Sequence, residues 1–409
     1  MVLRYGRAFG HTPIVVIELP VDRKPGREIG KLSGARALGA YADSRWHQLG
    51  AKRYPPRWLF DHDVPRLIRE WIVPGHAPPA GMLSTGDTVM TLGSCFALEM
   101  RMYLERVGVA SNNFLIPGGL GNTFAILDFV SWSVTGKETA RGFRYDRTDA
   151  GEIREWTPAA EREQYLLEFE RAGAFVFAIG LAEVWEDRVT GGVFWRGVPE
   201  EIFDADRQLF RLSSVEENEA NLLQIVELIR AVNPDAPIVL TLSPAPLKAT
   251  FDTASCLSAD CVSKSTLRVA LDRVVKLGLG GVYYWPSFEV TRWAGAHLPW
   301  RAYTHGRKAR DARHVSRYLI AEFMEAFIEA FYTPASVAEL RARRYPVEHP
   351  PRSVRGRLRA LGAARELRRN ERRKGKPLRK RVTKSLRRVL ERDRRDSPQP
   401  RRSRRRSAD

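Results

Sequence analysis

The sequence predicts a three-layer α/β domain built on a doubly wound, mainly parallel sheet. From residue 87 onward, short apolar runs of strand length alternate with segments of helical periodicity. The runs FVFAIG, PIVLTL and GVYYW have no polar face, as expected for strands that are buried on both sides of a sheet. Alternation of this kind is typical of parallel sheets with helices on both faces.

Strands and helices are expected to alternate along this domain. Strand-like runs lie at 88–93, 107–116, 174–180, 237–243 and 281–285. Helical patterns lie at 97–106, 122–133, 215–231, 266–276 and 315–332. The last helix is the most regular, because Leu319, Phe323 and Phe327 recur on one helical face. A segment rich in Trp and Gly, 181–213, interrupts the alternation and predicts a small β excursion over one end of the sheet.

The chain is expected to fall into three regions. Residues 1–86 are rich in Pro and Arg and predict an irregular extension that packs on the core, with a strand near 14–18 and a short helix near 64–72. Residues 87–335 form the α/β domain. Residues 346–409 combine basic amphipathic patterns with a final stretch of disordered composition.

The net charge of +19 resides in the C-terminal tail. Residues 351–409 contain 25 Lys or Arg and 6 Asp or Glu, which accounts for the whole excess of positive charge. The charge therefore says nothing about the substrate of the domain itself. For the 346–409 tail it indicates an anionic partner, either a membrane surface or a nucleic acid. A regular Leu and Val stripe without interleaved aromatic rings favours a membrane or a protein groove, and a solvated extension is the alternative.

The cysteines and the N-terminus predict a cytoplasmic protein, with a peripheral membrane location left open. Cys95, Cys256 and Cys261 are too few, and odd in number, for a disulfide framework. The N-terminal MVLRYGRAFGHTP has no apolar segment of the secretory type. The apolar run at 13–20 suits a strand and is too short to span a bilayer.

The stretch TVMTLGSCFALEM, residues 88–100, places a strand directly before a helix, with Ser94 and Cys95 at the junction. In doubly wound folds, ligands bind beyond the carboxyl ends of the strands, and the free N–H groups of a helix N-terminus favour negative charge. Ser94 is therefore a candidate nucleophile. Two alternatives stand beside this interpretation: Ser94 as a simple helix N-cap, and Cys95 as the nucleophile or as a small buried side chain.

A serine nucleophile needs a base, and one of the eight histidines stands in a suitable context. In KARDARHVSRYL, Asp311 precedes His314 by three residues, where the last helix begins. At that spacing the Asp311 carboxylate can accept from imidazole Nδ1 and leave Nε2 facing the strand ends. The predicted catalytic residues are Ser94, His314 and Asp311, with a capping or core role as the alternative for His314.

Residues 93–97 spell GSCFA, and the chain resembles the GSCFA family. That family is similar to the SGNH (GDSL-like) hydrolases, flavodoxin-like α/β enzymes with an early serine after the first strand and a late D-x-x-H. The stretches TLSPAPLKATF, SKSTLR and PSFE also resemble the family pattern, and the resemblance covers roughly 87–332. It implies an esterase or acyltransferase that acts on an acyl ester, with carbohydrate O-acyl groups as the expected substrate class.

The resemblance also implies an oxyanion hole, and here the sequence departs from the pattern. SGNH hydrolases carry G-x-N-D, whose Asn donates to the oxyanion, but the corresponding GLAE stretch has Ala182 in that place. The expected replacements are the backbone N–H groups of Ser94 and Gly121, with Gly180 and Asn122 beside them. The departure keeps a second function open, a non-catalytic glycan- or polymer-binding module of the same fold.

No cofactor and no metal are expected. The FDHDVP run has no distant partner cluster, and Cys256 with Cys261 lacks a second pair of zinc ligands. Glu183, Trp185 and Glu289 are candidates for the pocket wall, with packing or surface charge as an equal alternative.

Overall fold

The computed structural model describes residues 54–111, 120–137, 145–147, 152–155, 161–297, 303 and 313–343, together with two short strands near the N-terminus. By contact the chain separates into two units, Met1–Pro55 and Pro56–Asp409. In the first unit, β1 (Arg4–Tyr5) pairs antiparallel with β2 (Val15–Val16), within the predicted strand near 14–18. The predicted basic tail lies outside the described residues.

The second unit alternates strands and helices. Its strands are β3 (Val89–Gly93), β4 (Tyr145–Arg147), β5 (Ile153–Glu155), β6 (Ala174–Ile179), β7 (Glu183–Asp187), β8 (Gln208–Leu212), β9 (Ile238–Leu242) and β10 (Val282–Trp285). Its α-helices are α1 (Arg57–His62), α2 (Val64–Leu67), α3 (Cys95–Arg106), α4 (Thr123–Thr135), α5 (Arg162–Arg171), α6 (Val215–Val232), α7 (Cys256–Lys276), α8 (Ser287–Glu289), α9 (Arg317–Phe331) and α10 (Pro334–Ala342). Two π-helical turns, Ile68–Ile72 and Val290–Ala294, and one 3₁₀ turn, Glu200–Ile202, complete the described elements.

Four parallel strands form the central sheet, in the order β10-β9-β6-β3. Each strand is short and apolar, and β6 is buried at every position. Successive side chains of a strand point to opposite faces, so Val176 and Ala178 join one core while Phe175 and Phe177 join the other. The predicted parallel sheet is confirmed.

One core lies on each face of the sheet. The first includes α1, α2, α3 and α9, with Phe96 of α3 against Phe323 of α9 at a ring distance of 5.3 Å. The second includes α4, α5, α6 and α7, with Phe129 of α4 at its aromatic centre. Helices therefore cover both faces, as expected for a parallel sheet, and the three-layer α/β prediction is confirmed.

The excursion predicted over 181–213 is an antiparallel ribbon. Strands β7 and β8 pair from Glu183↔Leu212 to Asp187↔Gln208. The ribbon follows directly on the carboxyl end of β6, and therefore extends from the edge of the sheet at which Ser94 lies.

Two segments differ from the expected elements, and a third has an additional helix before it. Helix α7 begins at Cys256, well before the predicted start at 266. The prediction missed the first half of the helix because the buried residues there include the polar Asp260 and Lys264, whereas an apolar face was expected. The described part of the predicted strand 107–116 makes a single bridge, Ser111 to Val89. Upstream of the sheet, the expected short helix is present as α2 and its π-helical turn, and α1 precedes it.

None of the helices in the described parts of the chain is both long and apolar enough to cross a lipid bilayer.

Candidate active site

Ser94 forms the corner between β3 and α3. It has extended backbone angles and caps the helix, its Oγ accepting a hydrogen bond from Phe96 N–H at 3.3 Å. Gly93 before it has φ +128°, and a Cβ there would lie 2.2 Å from the carbonyl oxygen of Ala178. Glycine is thus required for β3 to approach β6 and turn at once into the helix. The N-cap interpretation of Ser94 is confirmed, and it leaves the half-buried hydroxyl at the carboxyl edge of the sheet.

The predicted neighbours Gly121 and Gly180 lie beside Ser94. A Cβ built on Gly180 would lie 3.1 Å from Ser94 Cβ and 3.6 Å from Ser94 Oγ. The carbonyl of Gly121 accepts hydrogen bonds from the N–H groups of Gly180 and Leu181, both at 2.9 Å. Backbone therefore forms the wall of the site next to the serine hydroxyl.

Two of the donors expected for an oxyanion, the Ser94 N–H and the Asn122 amide, are engaged in this structure. Ser94 N–H donates to the carbonyl of Ala178 at 2.9 Å, which extends the ladder between β3 and β6. The Asn122 side chain caps α4 by accepting from Ala125 N–H at 2.8 Å, and its amide donates to the carbonyl of Trp195 at 3.3 Å. These groups can serve a substrate oxygen only by sharing or exchanging their present partners.

His314 lies just before α9, whose N-cap is Ser316. The neighbouring Arg313 donates twice to the carbonyl of Pro246, at 3.0 and 3.2 Å. Pro246 follows the carboxyl end of β9, and Ser94 follows the carboxyl end of β3 in the same parallel sheet. The segment that contains His314 is therefore fastened to the sheet edge that bears the serine. Asp311, the third predicted residue, lies outside the described residues.

Cys95 is exposed beside Ser94. Protein atoms packed around this exposed residue still partly desolvate its sulfur and raise the pKa of the thiol, while the positive charges of Arg313 and Lys264 act against that rise. A thiol whose pKa is raised has little thiolate near neutral pH, which makes Cys95 the weaker candidate nucleophile. Two cations, Arg313 and Lys264, therefore act electrostatically on the junction between β3 and α3.

Lys264 of α7 lies in the SKSTLR stretch, and sequence reasoning gave it no role in the site. It is 1% exposed, and its Nζ donates to the carbonyl of Gly180 at 2.7 Å. A signal was present, because the stripe of Leu267, Leu271 and Val274, continued back along the helix, reaches Lys264. A lysine on the buried stripe of a helix is uncommon and indicates a specific role.

The other candidates for the pocket wall have partners of their own. Glu183 is buried, which raises the pKa of its carboxyl, and it accepts from the Thr250 hydroxyl at 2.9 Å. Glu289 accepts from Tyr284 OH at 2.8 Å and pairs with Arg268 at 2.7 Å, a structural arrangement next to β10.

Trp185 belongs to a cluster of four aromatic rings on and beside the β7–β8 ribbon. Its ring centroid lies 5.2 Å from those of Phe210 and Phe251 and 5.4 Å from that of Phe203. Phe251 is 72% exposed, so the cluster presents an apolar surface to solvent.

The acidic residues of the FDHDVP run have local roles. Asp61 pairs with Arg57 at 3.3 Å, and Asp63 caps α2 by accepting from Arg66 N–H. Cys256 Sγ donates to the carbonyl of Leu247 at 3.7 Å. Across the residues that the structure describes, no cluster of three or more His, Cys, Asp or Glu could hold a metal ion.

Comparison with known proteins gives a family match and distant structural likenesses. No curated protein matches the chain. Among solved structures, the chain is similar to one described as "the structure of a putative platelet activating factor from Streptococcus pneumonia". The two share 13% sequence identity, the match covers 73% of this chain and 100% of the other, and the TM-score is 0.33. A likeness at this level carries no inference about activity. The model of the GSCFA family matches residues 88–327, more than half of the sequence, and the chain therefore belongs to the GSCFA family.

Proposed function

We propose that this protein is a serine esterase or O-acyltransferase that acts on an acyl ester, with Ser94 as nucleophile, His314 as base and Asp311 as the partner of the imidazole. One observation carries the proposal. Ser94 lies at the carboxyl edge of the sheet, and Arg313 fastens the segment of His314 to the residues that follow β9 at that edge.

The proposed chemistry proceeds through a seryl ester. Ser94 Oγ adds to the ester carbonyl, its proton passes to His314 Nε2, and the carbonyl π pair moves to oxygen as an oxyanion. Collapse of the oxyanion restores the carbonyl and expels the alcohol, which takes the proton from His314. Water, or an acceptor hydroxyl in a transferase, then attacks the acyl group by the same steps and regenerates Ser94.

Asp311 and the backbone complete the proposed site. The Asp311 carboxylate would hold the Nδ1–H tautomer of His314 and stabilise the imidazolium. The N-terminus of α3 favours negative charge near Ser94. The alanine at position 182 offers no side-chain donor, and the loss of one such donor costs on the order of 100- to 1000-fold in rate. We therefore expect modest turnover.

The substrate class is proposed to be an O-acyl ester of a carbohydrate. The proposed compartment is the cytoplasm, which accords with three free cysteines, Cys95, Cys256 and Cys261. The 346–409 tail is proposed to bind an anionic membrane surface or a nucleic acid. Its test compares binding to anionic liposomes and to DNA with and without residues 346–409, and unchanged binding by the shortened chain removes this part of the proposal.

A second candidate function is a non-catalytic ligand-binding module for glycans or other polymers. It is favoured by the engagement of Ser94 N–H with the Ala178 carbonyl and of the Asn122 amide with the Trp195 carbonyl. With these two donors occupied and an alanine at position 182, fewer groups are left to stabilise an oxyanion unless the backbone shifts.

Hydrolysis of p-nitrophenyl acetate separates the two candidates. The esterase predicts saturable turnover that is lost in Ser94→Ala, strongly reduced in His314→Asn and Asp311→Asn, and retained in Cys95→Ala. The binding module predicts no turnover above that of the Ser94→Ala variant. Turnover that survives Ser94→Ala but disappears in Cys95→Ala would transfer the nucleophile to the thiol.

A further inference from the structure

Lys264 is a charged side chain within the second core. It is 1% exposed, and in the described part of the chain no carboxylate lies within ion-pair distance of its Nζ. Asp260, one helical turn earlier, instead pairs with Arg292 at 2.7 Å and accepts from Leu247 N–H at 3.0 Å. The ammonium group donates a hydrogen bond to an uncharged acceptor, the carbonyl of Gly180, at 2.7 Å.

Lys264 and its neighbour Ser263 together hold the turn of residues 180–182. Lys264 Nζ binds the carbonyl at the start of the turn, and Ser263 Oγ accepts from Ala182 N–H at its end, at 2.9 Å. Ser213 closes the other side, because its hydroxyl donates to the carbonyl of Ala182 at 2.8 Å. The turn is thus fixed at both ends by buried side chains.

This turn lies directly against the candidate nucleophile. A Cβ on Gly180 would lie 3.1 Å from Ser94 Cβ, so the residue that Lys264 holds leaves no free space for a side chain next to the serine. The charge also reaches the corner, because the positive charge of Lys264 favours the thiolate form of Cys95.

We propose that Lys264 is a positioning residue for the Ser94 corner, which fixes the Gly180 peptide against the serine and supplies positive charge that favours an anion, in a chain whose Ala182 lacks the amide side chain of the SGNH pattern. This inference rests on the proposed function of Ser94 as nucleophile. The anion is the oxyanion of the acyl-transfer step, and the proton balance of that step is unchanged, because Lys264 neither gives nor takes a proton.

The charge state suits this role at neutral pH. Burial lowers the pKa of Lys264 to about 8, with Asp260 acting to raise it and Arg292 to lower it. Cys95 and Arg313 are the other charged or titratable groups that influence it, the first raising and the second lowering its pKa. The ammonium form therefore predominates below pH 8 and is lost above it.

The exposed Cys95 thiol is a reporter of this charge that does not depend on catalysis. We would measure the rate at which iodoacetamide alkylates Cys95 in the full chain between pH 7 and 10, by mass spectrometry of the Cys95 peptide. Lys264→Gln removes the charge and keeps an N–H donor for Gly180, whereas Lys264→Met removes both. Alkylation at pH 7, where Lys264 is charged, should be about three- to tenfold slower in both variants, as expected for a thiol pKa that rises by about half a unit to one unit.

Two controls are available on the same helix. Lys276, an exposed lysine that pairs with Asp272, should leave the rate at Cys95 unchanged when replaced in Lys276→Met. Cys256, at the first position of the helix and farther from Lys264, provides an internal reference for reagent and pH. Equal Cys95 rates in the wild type and in a folded Lys264→Gln variant would overturn the electrostatic part of the proposal. Slow alkylation of Cys95 in Lys264→Met together with the wild-type rate in Lys264→Gln would show that Lys264 acts only through its hydrogen bond to the Gly180 carbonyl.

Turnover of p-nitrophenyl acetate provides the catalytic readout. The wild type should lose kcat as pH rises through about 8, and Lys264→Gln should show a kcat at least about tenfold lower, an unchanged KM and no such alkaline loss. A wild type without turnover refutes the proposed function. The rates of Cys95 alkylation still decide whether the positive charge of Lys264 acts on the residues around Ser94. A wild type with Ser94-dependent turnover and the same pH profile as Lys264→Gln refutes the role of Lys264 alone.

Discussion

Gly180 lies against Ser94 so closely that a Cβ on the glycine would approach Ser94 Cβ to 3.1 Å and Ser94 Oγ to 3.6 Å. One side of the candidate nucleophile is therefore bounded by backbone. On the other side, Phe96 N–H donates to the serine oxygen. The position of the hydroxyl thus depends on the end of β6 as much as on its own helix.

Gly180→Ala should impair turnover more than folding. The added methyl must displace the Ser94 side chain by a few tenths of an ångström, and misplacement of a reacting group costs on the order of tenfold to 100-fold in kcat. The comparison is the rate of ester hydrolysis per folded molecule. Gly197→Ala is the matched control, because a Cβ there meets nothing within 4 Å. Equal rates in the two variants would show that the contact with Gly180 does not position the serine.

Gly93→Ala should destabilise the fold severely. Its Cβ would lie 2.2 Å from the Ala178 carbonyl oxygen, and its φ of +128° is unfavourable for any side chain. We expect a loss of more than about 3 kcal/mol in the free energy of unfolding by urea, beyond the cost of the backbone angle alone. Gly191→Ala isolates that cost, since Gly191 has φ +70° and open space around it, and should lose only about 1 kcal/mol. Similar losses of unfolding free energy in the two variants would show that a Cβ at position 93 does not clash with the Ala178 carbonyl.

The stability of the wild type relative to Lys264→Met should rise with pH between 8 and 10.5. Burial lowers the pKa of Lys264 from its ordinary value of 10.5 to about 8. In that window the unfolded chain binds the proton and the folded chain does not, so raising the pH favours the folded state. The gain should reach about 3 kcal/mol at most across the window. It would be measured as the difference between urea unfolding free energies at each pH, and a flat difference would show that the folded lysine titrates normally.

Ser263→Ala should weaken the turn of residues 180–182. The substitution leaves the N–H of Ala182 without its present acceptor in a buried place, which costs about 1–3 kcal/mol in the free energy of unfolding. Ser265→Ala on the exposed face of the same helix is the control and should cost less than about 0.5 kcal/mol. Equal losses would remove Ser263 from the support of the turn.

The sheet could be predicted because its strands carry a strong and simple signal. The runs that became β6, β9 and β10 are apolar throughout, and only strands covered on both faces tolerate that pattern. The corner at Ser94 was predictable for a similar reason, since an apolar run that ends in Gly93 and passes at once into a helical pattern leaves little room for another geometry. The predicted start of α7 was wrong because Asp260 and Lys264 lie on the buried face of the helix. Polar residues on that face break the hydrophobic periodicity on which the prediction depends.

The engagement of the backbone donors could not be predicted from the sequence. The hydrogen bond from Ser94 N–H to the Ala178 carbonyl depends on the register between two strands that are far apart in the chain. Asn122 was a plausible donor by its position, but its carboxamide is used to cap α4 and to hold Trp195. Such choices among polar partners are decided by tertiary contacts rather than by local pattern.

The covalent reactivity of Ser94 tests most directly whether this serine is the nucleophile. The full chain would be treated with a fluorophosphonate, and the adduct located by intact mass and peptide mapping. We predict one adduct per chain on the peptide that contains Ser94, no adduct in Ser94→Ala, and much slower labelling in His314→Asn. A wild type that acquires no adduct, or a Ser94→Ala variant that is labelled as fast as the wild type, would contradict the assignment of Ser94 as the nucleophile.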